Sequence, residues 1–155
     1  MTAKRIEAVL RPASVAVVGA SDTPGSIGAV LCRNLREGGF RGPVFYVNPR
    51  HATVGAEPSY PDVLALPQTV DVAIIATPPS TLPAVLEHCG ERGVRGAIIV
   101  SAGFREGGEA GAACESSMLQ VARRYGLRLL GPNSFGVIRT DNGFNASCGA
   151  ALPQP

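Results

Sequence analysis

Ser14-Val15-Ala16-Val17-Val18 runs without interruption into Gly19-Ala20-Ser21-Asp22-Thr23-Pro24-Gly25-Ser26-Ile27-Gly28. The first five residues are short, mostly β-branched and apolar at consecutive positions, which favours a strand covered on both faces. A helix follows the glycine-rich turn, because Ile27, Leu31 and Leu35 fall at i, i+4 and i+8 with Val30 beside them, and Gly38-Gly39 supplies a stop. The same alternation recurs down the chain. Strand-like runs occur at Val44-Phe45-Tyr46-Val47, Val70 to Ile75, Ala97-Ile98-Ile99-Val100 and Leu127-Arg128-Leu129-Leu130. Helical faces lie between them. Leu82, Val85, Leu86 and Cys89 follow Ser80 as an N-cap, with Pro83 in the first turn; Cys114, Met118, Val121, Ala122 and Tyr125 end at Gly126. Residues 3–10 read as a leading helix through Ile6, Val9 and Leu10, and Pro61 to Leu66 leave room only for a short helix. Repeated strand-helix-strand units imply parallel strands joined by right-handed crossovers. The expected fold is therefore α/β, a doubly wound, mostly parallel sheet with helices on both faces.

The remaining bulk properties agree with one domain and narrow its partners. The chain has 155 residues, 45% hydrophobic and 17% charged, enough apolar content for one sizeable core. Its formal charge of +2 is spread along the chain, so no basic stripe points to a nucleic acid. Apolar runs such as Ala73-Ile74-Ile75-Ala76 are far shorter than the roughly 20 residues a bilayer span needs. The start is broken by Glu7 and Arg11, which leaves no signal-peptide core, and the expectation is a soluble, cytoplasmic protein without a membrane partner. Cys32, Cys89, Cys114 and Cys148 are too widely spaced for a zinc grip or a dense disulfide pattern, so reduced thiols are expected. Residues 1–142 read as the domain. Residues 143–155 lack strong periodicity and close on Leu152-Pro153-Gln154-Pro155, which reads as a tail or linker towards a further domain.

Ligands of an open parallel sheet bind beyond the carboxyl ends of its strands, so the loops after the strands are the candidate site. In the first turn Gly19, Ala20, Ser21, Pro24, Gly25, Ser26, Ile27 and Gly28 form a potential phosphate cradle. Glycines permit positive φ and close backbone approach, and the free N–H groups of the following helix attract an anion. A glycine turn that only packs helix on sheet is the competing reading. The spacing argues against NAD: no G-x-G-x-x-G occurs in this turn, and no acid stands at the end of the second strand to hold ribose hydroxyls. Asn48-Pro49-Arg50 stands there instead. A guanidinium grips phosphate through two parallel hydrogen bonds, which leaves NADP or coenzyme A, unless Arg50 is a solvated loop cation. The third strand ends in Thr77-Pro78-Pro79-Ser80, a stiff extended corner suited to lie against an adenine or an apolar arm. The fourth ends in a long glycine-rich loop, Ser101-Ala102-Gly103-Phe104-Arg105-Glu106-Gly107-Gly108, and the fifth in Gly131-Pro132-Asn133-Ser134-Phe135-Gly136. Glu106 and Asn133 are the polar contacts picked from these last two.

Taken together, Gly19-Ala20-Ser21 through Pro24-Gly25-Ser26-Ile27-Gly28, Val47-Asn48-Pro49, Cys89-Gly90-Glu91-Arg92-Gly93-Val94, Ser101-Ala102-Gly103-Phe104 and Gly131-Pro132-Asn133 resemble the CoA-binding domain of the NDP-forming acyl-CoA synthetases, relatives of the α subunit of succinyl-CoA synthetase. The resemblance runs from about residue 10 to residue 148. It implies a Rossmann-like domain that holds CoA or acyl-CoA at its strand ends through the positions quoted. Phe144-Asn145-Ala146 and Pro153 look like that family's link into the next domain.

In that family a phosphorylated histidine and a nucleotide-binding grasp lie in other domains. ATP, ADP and magnesium are therefore expected only through synthetase-like domains of a parent chain or a partner subunit. Neither His51 nor His88 matches the phosphorylated histidine; each reads as an ordinary solvated or packed residue. No catalytic set and no metal motif emerges. The expectation is a CoA-binding domain from an ADP-forming acyl-CoA synthetase, an acid–thiol ligase. The alternatives are a regulatory CoA-binding module of a protein acetyltransferase with an inactive synthetase-like region, or a stand-alone CoA-binding protein.

Overall fold

The computed structural model describes residues 3–149, with side chains from Ile6 onward. Its elements in chain order are α1 (Ala3–Leu10), β1 (Val15–Val18), α2 (Ile27–Glu37), β2 (Val44–Val47), β3 (Thr53–Val54), β4 (Glu57–Tyr60), β5 (Val72–Ile75), α3 (Leu82–Glu91), β6 (Gly96–Ile99), α4 (Glu109–Tyr125), β7 (Arg128–Leu130), β8 (Gly136–Arg139) and β9 (Phe144–Ser147). Short 3-10 turns occupy Val63–Ala65, Pro79–Thr81 and Arg105–Gly107.

A run such as Val15 to Val18 is stable only where both faces are covered, and β1, β5 and β6 are buried at every residue. They form the middle of a seven-stranded sheet of order β3-β4-β2-β1-β5-β6-β7, parallel throughout except for the β3–β4 pair. Alternate residues of each strand serve opposite layers. Ala16, Val18, Ala73, Ile75, Ala97 and Ile99 face α3 and α4 through Leu82, Leu86, Cys89, Met118 and Val121. Val15, Val17, Ile74 and Ile98 face Val9 of α1, Leu31 and Leu35 of α2, and Phe144 and Ala146 of β9. The sheet grows outward from β1 through β2 and β4, then returns to β5 on the other side of β1. The chain thus reverses direction between β1 and β5, which makes that crevice the switch point where a ligand of this architecture sits.

Four departures from the sequence reading have local causes. Ser80 is not the N-cap of α3: it lies inside the Pro79–Thr81 turn, and Thr81 occupies the cap position, its hydroxyl donating to the Pro78 carbonyl at 2.6 Å. Ile27 starts α2 but is 48% exposed, because the buried stripe runs through Gly28, Leu31, Cys32 and Leu35. The β3–β4 hairpin, turning at Gly55 with φ +61°, left no periodicity because β3 has two residues and β4 contains Pro58.

The sequence places residues 143–155 in a tail, yet Phe144–Ser147 form β9, paired antiparallel with β8 and buried at all four positions. Its burial comes from α2 and the loop that follows it. Phe144 packs its ring 5.4 Å from that of Phe40, and the buried Asn34 amide donates to the carbonyls of Ser147 and Gly149, both at 2.9 Å. Residues 150–155, including Pro153, lie outside the described residues. Among the described residues no helix is long and apolar enough to cross a membrane, and Cys32, Cys89, Cys114 and Cys148 are free thiols. Burial pushes the Cys89 thiol up to about 12, so it is an inert core residue.

Candidate functional site

Each strand of the parallel sheet delivers a loop to one edge, and the loops are laced to one another. Gly19 has φ +89°, and its N–H donates to the Val47 carbonyl at 2.9 Å, extending the β1–β2 ladder one step. A side chain there would press on the Ala76 carbonyl and Thr77 Cγ2, both at 3.1 Å, so the close approach of the β1 and β5 loops requires glycine. Asn48 at the end of β2 donates its amide to the Ala20 carbonyl at 2.8 Å and accepts the Arg50 N–H at 2.9 Å. Asp22 accepts the Gly55 N–H at 3.2 Å, tying the first loop to the β3–β4 turn. Further along, a Cβ on Gly103 would lie 3.3 Å from Pro79 Cγ, and the Asn133 N–H donates to the Ser101 carbonyl at 2.9 Å. The five loops therefore form one continuous rim.

The first turn is held in shape by its own hydroxyls. Ser26 caps α2: its Oγ accepts the Ala29 N–H at 3.2 Å and donates to the Thr23 carbonyl at 2.8 Å. Ser21 Oγ accepts the Thr23 N–H at 3.0 Å. Both hydroxyls thus shape the turn; with the Ala29 N–H capped by Ser26, the backbone N–H groups of Ile27 and Gly28 are the ones at the start of α2 without an intrahelical acceptor. A Cβ on Gly28 would collide with the Gly19 carbonyl oxygen, so helix and turn touch directly through this glycine. Gly25 is the opposite case. It has φ +81° and open space where a side chain would stand, and with Thr23, Pro24 and Ile27 it forms the exposed lip of the turn.

Beside this turn lies a chamber of about 300 Å³ between the ends of β1, β2 and β5 and the flank of α3. Its wall is formed mainly by Val18, Gly19, Val47, Pro49, Pro61, Val63, Thr77 and Val85. A shallower hollow of about 280 Å³ adjoins it, lined by Asn48, Pro49, Arg50, His51, Ala52, Ser59 and Pro61. Pro49 and Pro61 belong to both walls, so the two spaces meet. Arg50 and His51 are exposed there, and among the described residues the Arg50 guanidinium makes no hydrogen bond or ion pair.

Several residues picked from the sequence do other work. Phe104 is 1% exposed and packs in the α3–α4 layer, with α4 so close that a Cβ on Gly111 would collide with the Phe104 carbonyl. It is a core residue, not a ligand contact. Glu106 accepts the Gly103 N–H at 2.6 Å, and that bond holds its carboxyl below the ordinary carboxylate range. It closes its own loop. Ser101 is buried, its hydroxyl directed to the Ile75 carbonyl at 3.4 Å. Pro78, Ser80, Ala102 and Asn133 (φ +53°) are exposed on the rim. The chamber itself was missed, since its wall assembles a few residues from each of several separate segments. Among the described residues no cluster of His, Cys, Asp and Glu could hold a metal ion.

Residues 13–140 match the CoA binding domain family. The chain is 42% identical over 149 residues to an ADP-forming acetate–CoA ligase of Archaeoglobus fulgidus, covering 96% of this chain and 22% of that one. It is 42% identical over 156 residues to the alpha subunit of an ADP-forming acetate–CoA ligase of Pyrococcus furiosus, covering 97% of this chain and 34% of the subunit. In three dimensions it superposes with a TM-score of 0.86 and 38% identity on an acetyl-coenzyme A synthetase of Ca. Korarchaeum cryptofilum solved with phosphate and ADP, covering 93% of this chain and 31% of the other. The chain spans a fifth to a third of the length of these relatives.

Proposed function

Because this chain belongs to the CoA binding domain family, we propose that coenzyme A lies along the rim with its pyrophosphate in the first turn, its adenine in the chamber and its ribose phosphate against Arg50. The observation that carries this reading is the unpartnered Arg50 beside an apolar chamber, in a fold whose second strand ends without an acid. The residues fit the ligand part by part. The lip at Pro24-Gly25 is open, α2 offers its N-terminal N–H groups, and the chamber lies at the lower end of ligand-pocket sizes. Gly19, Gly25, Ile27, Gly28, Pro49 and Arg50 form the phosphate side, whereas Ala20, also picked from the sequence, is fully buried, with its N–H on the Val47 carbonyl and its own carbonyl taken by the Asn48 amide. Thr77, Pro78, Pro79, Ser80, Ala102, Gly103 and Asn133 line the path along which the acyl-carrying arm runs.

The proposed parent is an ADP-forming acyl-CoA synthetase, an acid–thiol ligase. Residues 3–149 supply CoA binding to it, and ATP or ADP, magnesium and the chemistry come from other domains or a partner subunit. The relatives reported above are ligases, which supports this parent over an acetyltransferase. The reading needs neither a nucleic acid nor a membrane.

The test is a thermal-shift comparison of CoA with NAD. At a hundred times its Kd a ligand adds about 2.7 kcal/mol, which for a chain of this size raises Tm by roughly 5–11 °C. CoA gives that shift and NAD a much smaller one; an equal or larger shift with NAD overturns the reading.

Gly25→Val separates cradle from fold. The substitution meets no neighbour, so its structural cost is the positive φ alone, of order 1–3 kcal/mol. The expected outcome is a folded chain by circular dichroism that no longer binds CoA in titration calorimetry, because the branched side chain fills the lip. Normal binding by a folded variant puts the cradle elsewhere.

A further inference from the structure

The chamber beside the first turn carries four polar side chains in an otherwise mostly apolar wall: Asp62, Thr77, Thr81 and His88. Three of them are committed to the protein. Asp62 Oδ1 accepts the Ala65 N–H at 2.9 Å, capping the Val63–Ala65 turn. The Thr81 hydroxyl lies 2.6 Å from the Pro78 carbonyl and 2.7 Å from Thr77 Oγ1, so the two threonines hold the loop after β5 together. His88 is different. It is half-buried, and among the described residues its imidazole has no hydrogen-bond or ion-pair partner.

Its placement is set by α3. Thr81, Ala84, Val85 and His88 recur at helical spacing, which puts all four on the stripe that walls the chamber, while Leu82, Leu86 and Cys89 on the adjoining stripe enter the core. A neutral imidazole presents one N–H donor and one nitrogen acceptor. Polar atoms left against apolar surface cost free energy unless something pairs with them. An adenine offers ring-nitrogen acceptors and an exocyclic amine along its edges, which suit both imidazole nitrogens.

We infer that His88 is the base-holding residue of this site, hydrogen-bonding the heteroatom edge of the adenine inside the chamber. The inference rests on the proposed reading of the chamber as the adenine site. It assigns to His88 a ligand contact in place of simple helix packing, and to the apolar walls at Val18, Val47, Val63 and Val85 the stacking and enclosure of the ring.

The experiment measures the binding of CoA, adenosine 3′,5′-bisphosphate and 4′-phosphopantetheine to the wild-type chain and to His88→Ala, His88→Phe and His88→Gln, with a melting curve for each. His88→Ala and His88→Phe each weaken CoA and the adenosine bisphosphate roughly three- to tenfold, the range of one neutral hydrogen bond. His88→Gln recovers part of the loss, and 4′-phosphopantetheine, which has no base, binds all four proteins alike. If His88→Phe binds CoA as well as the wild type, or if all three ligands weaken together, His88 acts through shape or folding and the inference is overturned. If the wild type binds CoA no better than 4′-phosphopantetheine and does not bind the adenosine bisphosphate, the chamber is not the adenine site and the earlier reading falls with it.

Discussion

Gly28→Ala is expected to lower Tm by roughly 6–12 °C and to weaken CoA binding at least tenfold. The added Cβ points at the Gly19 carbonyl oxygen, and Gly19 is itself pinned by its N–H to Val47 and by the backbone and side chain of the β5 loop. Neither side is a flexible side-chain end that can swing away. Relief requires α2 to lift off the sheet at its first turn, which disrupts the packing of Leu31 and Leu35 at the same time. Overpacking a core costs typically about 1–3 kcal/mol and occasionally more, and a backbone collision belongs at the upper end; about 2–4 °C per kcal/mol converts this to the stated shift. Binding falls because the N–H groups at the start of α2 move away from the pyrophosphate they are proposed to meet. Thermal unfolding and CoA titration on the same preparation check it. A variant with wild-type Tm and affinity would show that α2 does not rest on the Gly19 turn as described.

Arg50→Ala is expected to weaken CoA about ten- to a hundredfold while leaving dephospho-CoA nearly unchanged. A hydrogen bond to a charged group contributes about 1.5–3 kcal/mol, and each 1.4 kcal/mol is roughly a factor of ten. Arg50 is exposed, so salt screens part of this attraction, and the difference between the two ligands is largest at low ionic strength. Folding is unaffected, since the guanidinium supports no other described group and Asn48 keeps the backbone of the loop in place through the Arg50 N–H. Titration calorimetry with both ligands at two salt concentrations reads the effect. An equal loss for CoA and dephospho-CoA would show that Arg50 meets some group other than the ribose phosphate.

The buried strands were legible because burial on both faces leaves a local record: Val15 to Val18, Val72 to Ile75 and Gly96 to Ile99 are apolar at almost every position. Gly38-Gly39 and Gly126 marked helix ends for the same reason, since a chain that leaves a helix through positive φ needs glycine. The sequence therefore carried the layer order and the edge of the sheet at which the loops after the parallel strands gather.

Which side chains on that edge are free to meet a ligand was decided elsewhere. Asn48, Ser26, Glu106 and Phe104 all stand in the right loops, yet Asn48 spends its amide on Ala20, Ser26 caps α2, Glu106 holds Gly103, and Phe104 enters the core. Residue type gives no sign of this, because a hydrogen-bond donor looks the same whether its partner is a backbone carbonyl or a bound phosphate. β9 shows the same limit, as its burial depends on Asn34 and Phe40, roughly a hundred residues away along the chain. His88 is the converse: ordinary on its helix, it acquires its proposed role only because β1, β2, β5 and the Val63–Ala65 turn wall an apolar chamber beside it. Short-range periodicity records how much of a segment is buried, whereas the pairing of polar atoms is settled by contacts between distant segments, which exist only once the sheet has assembled.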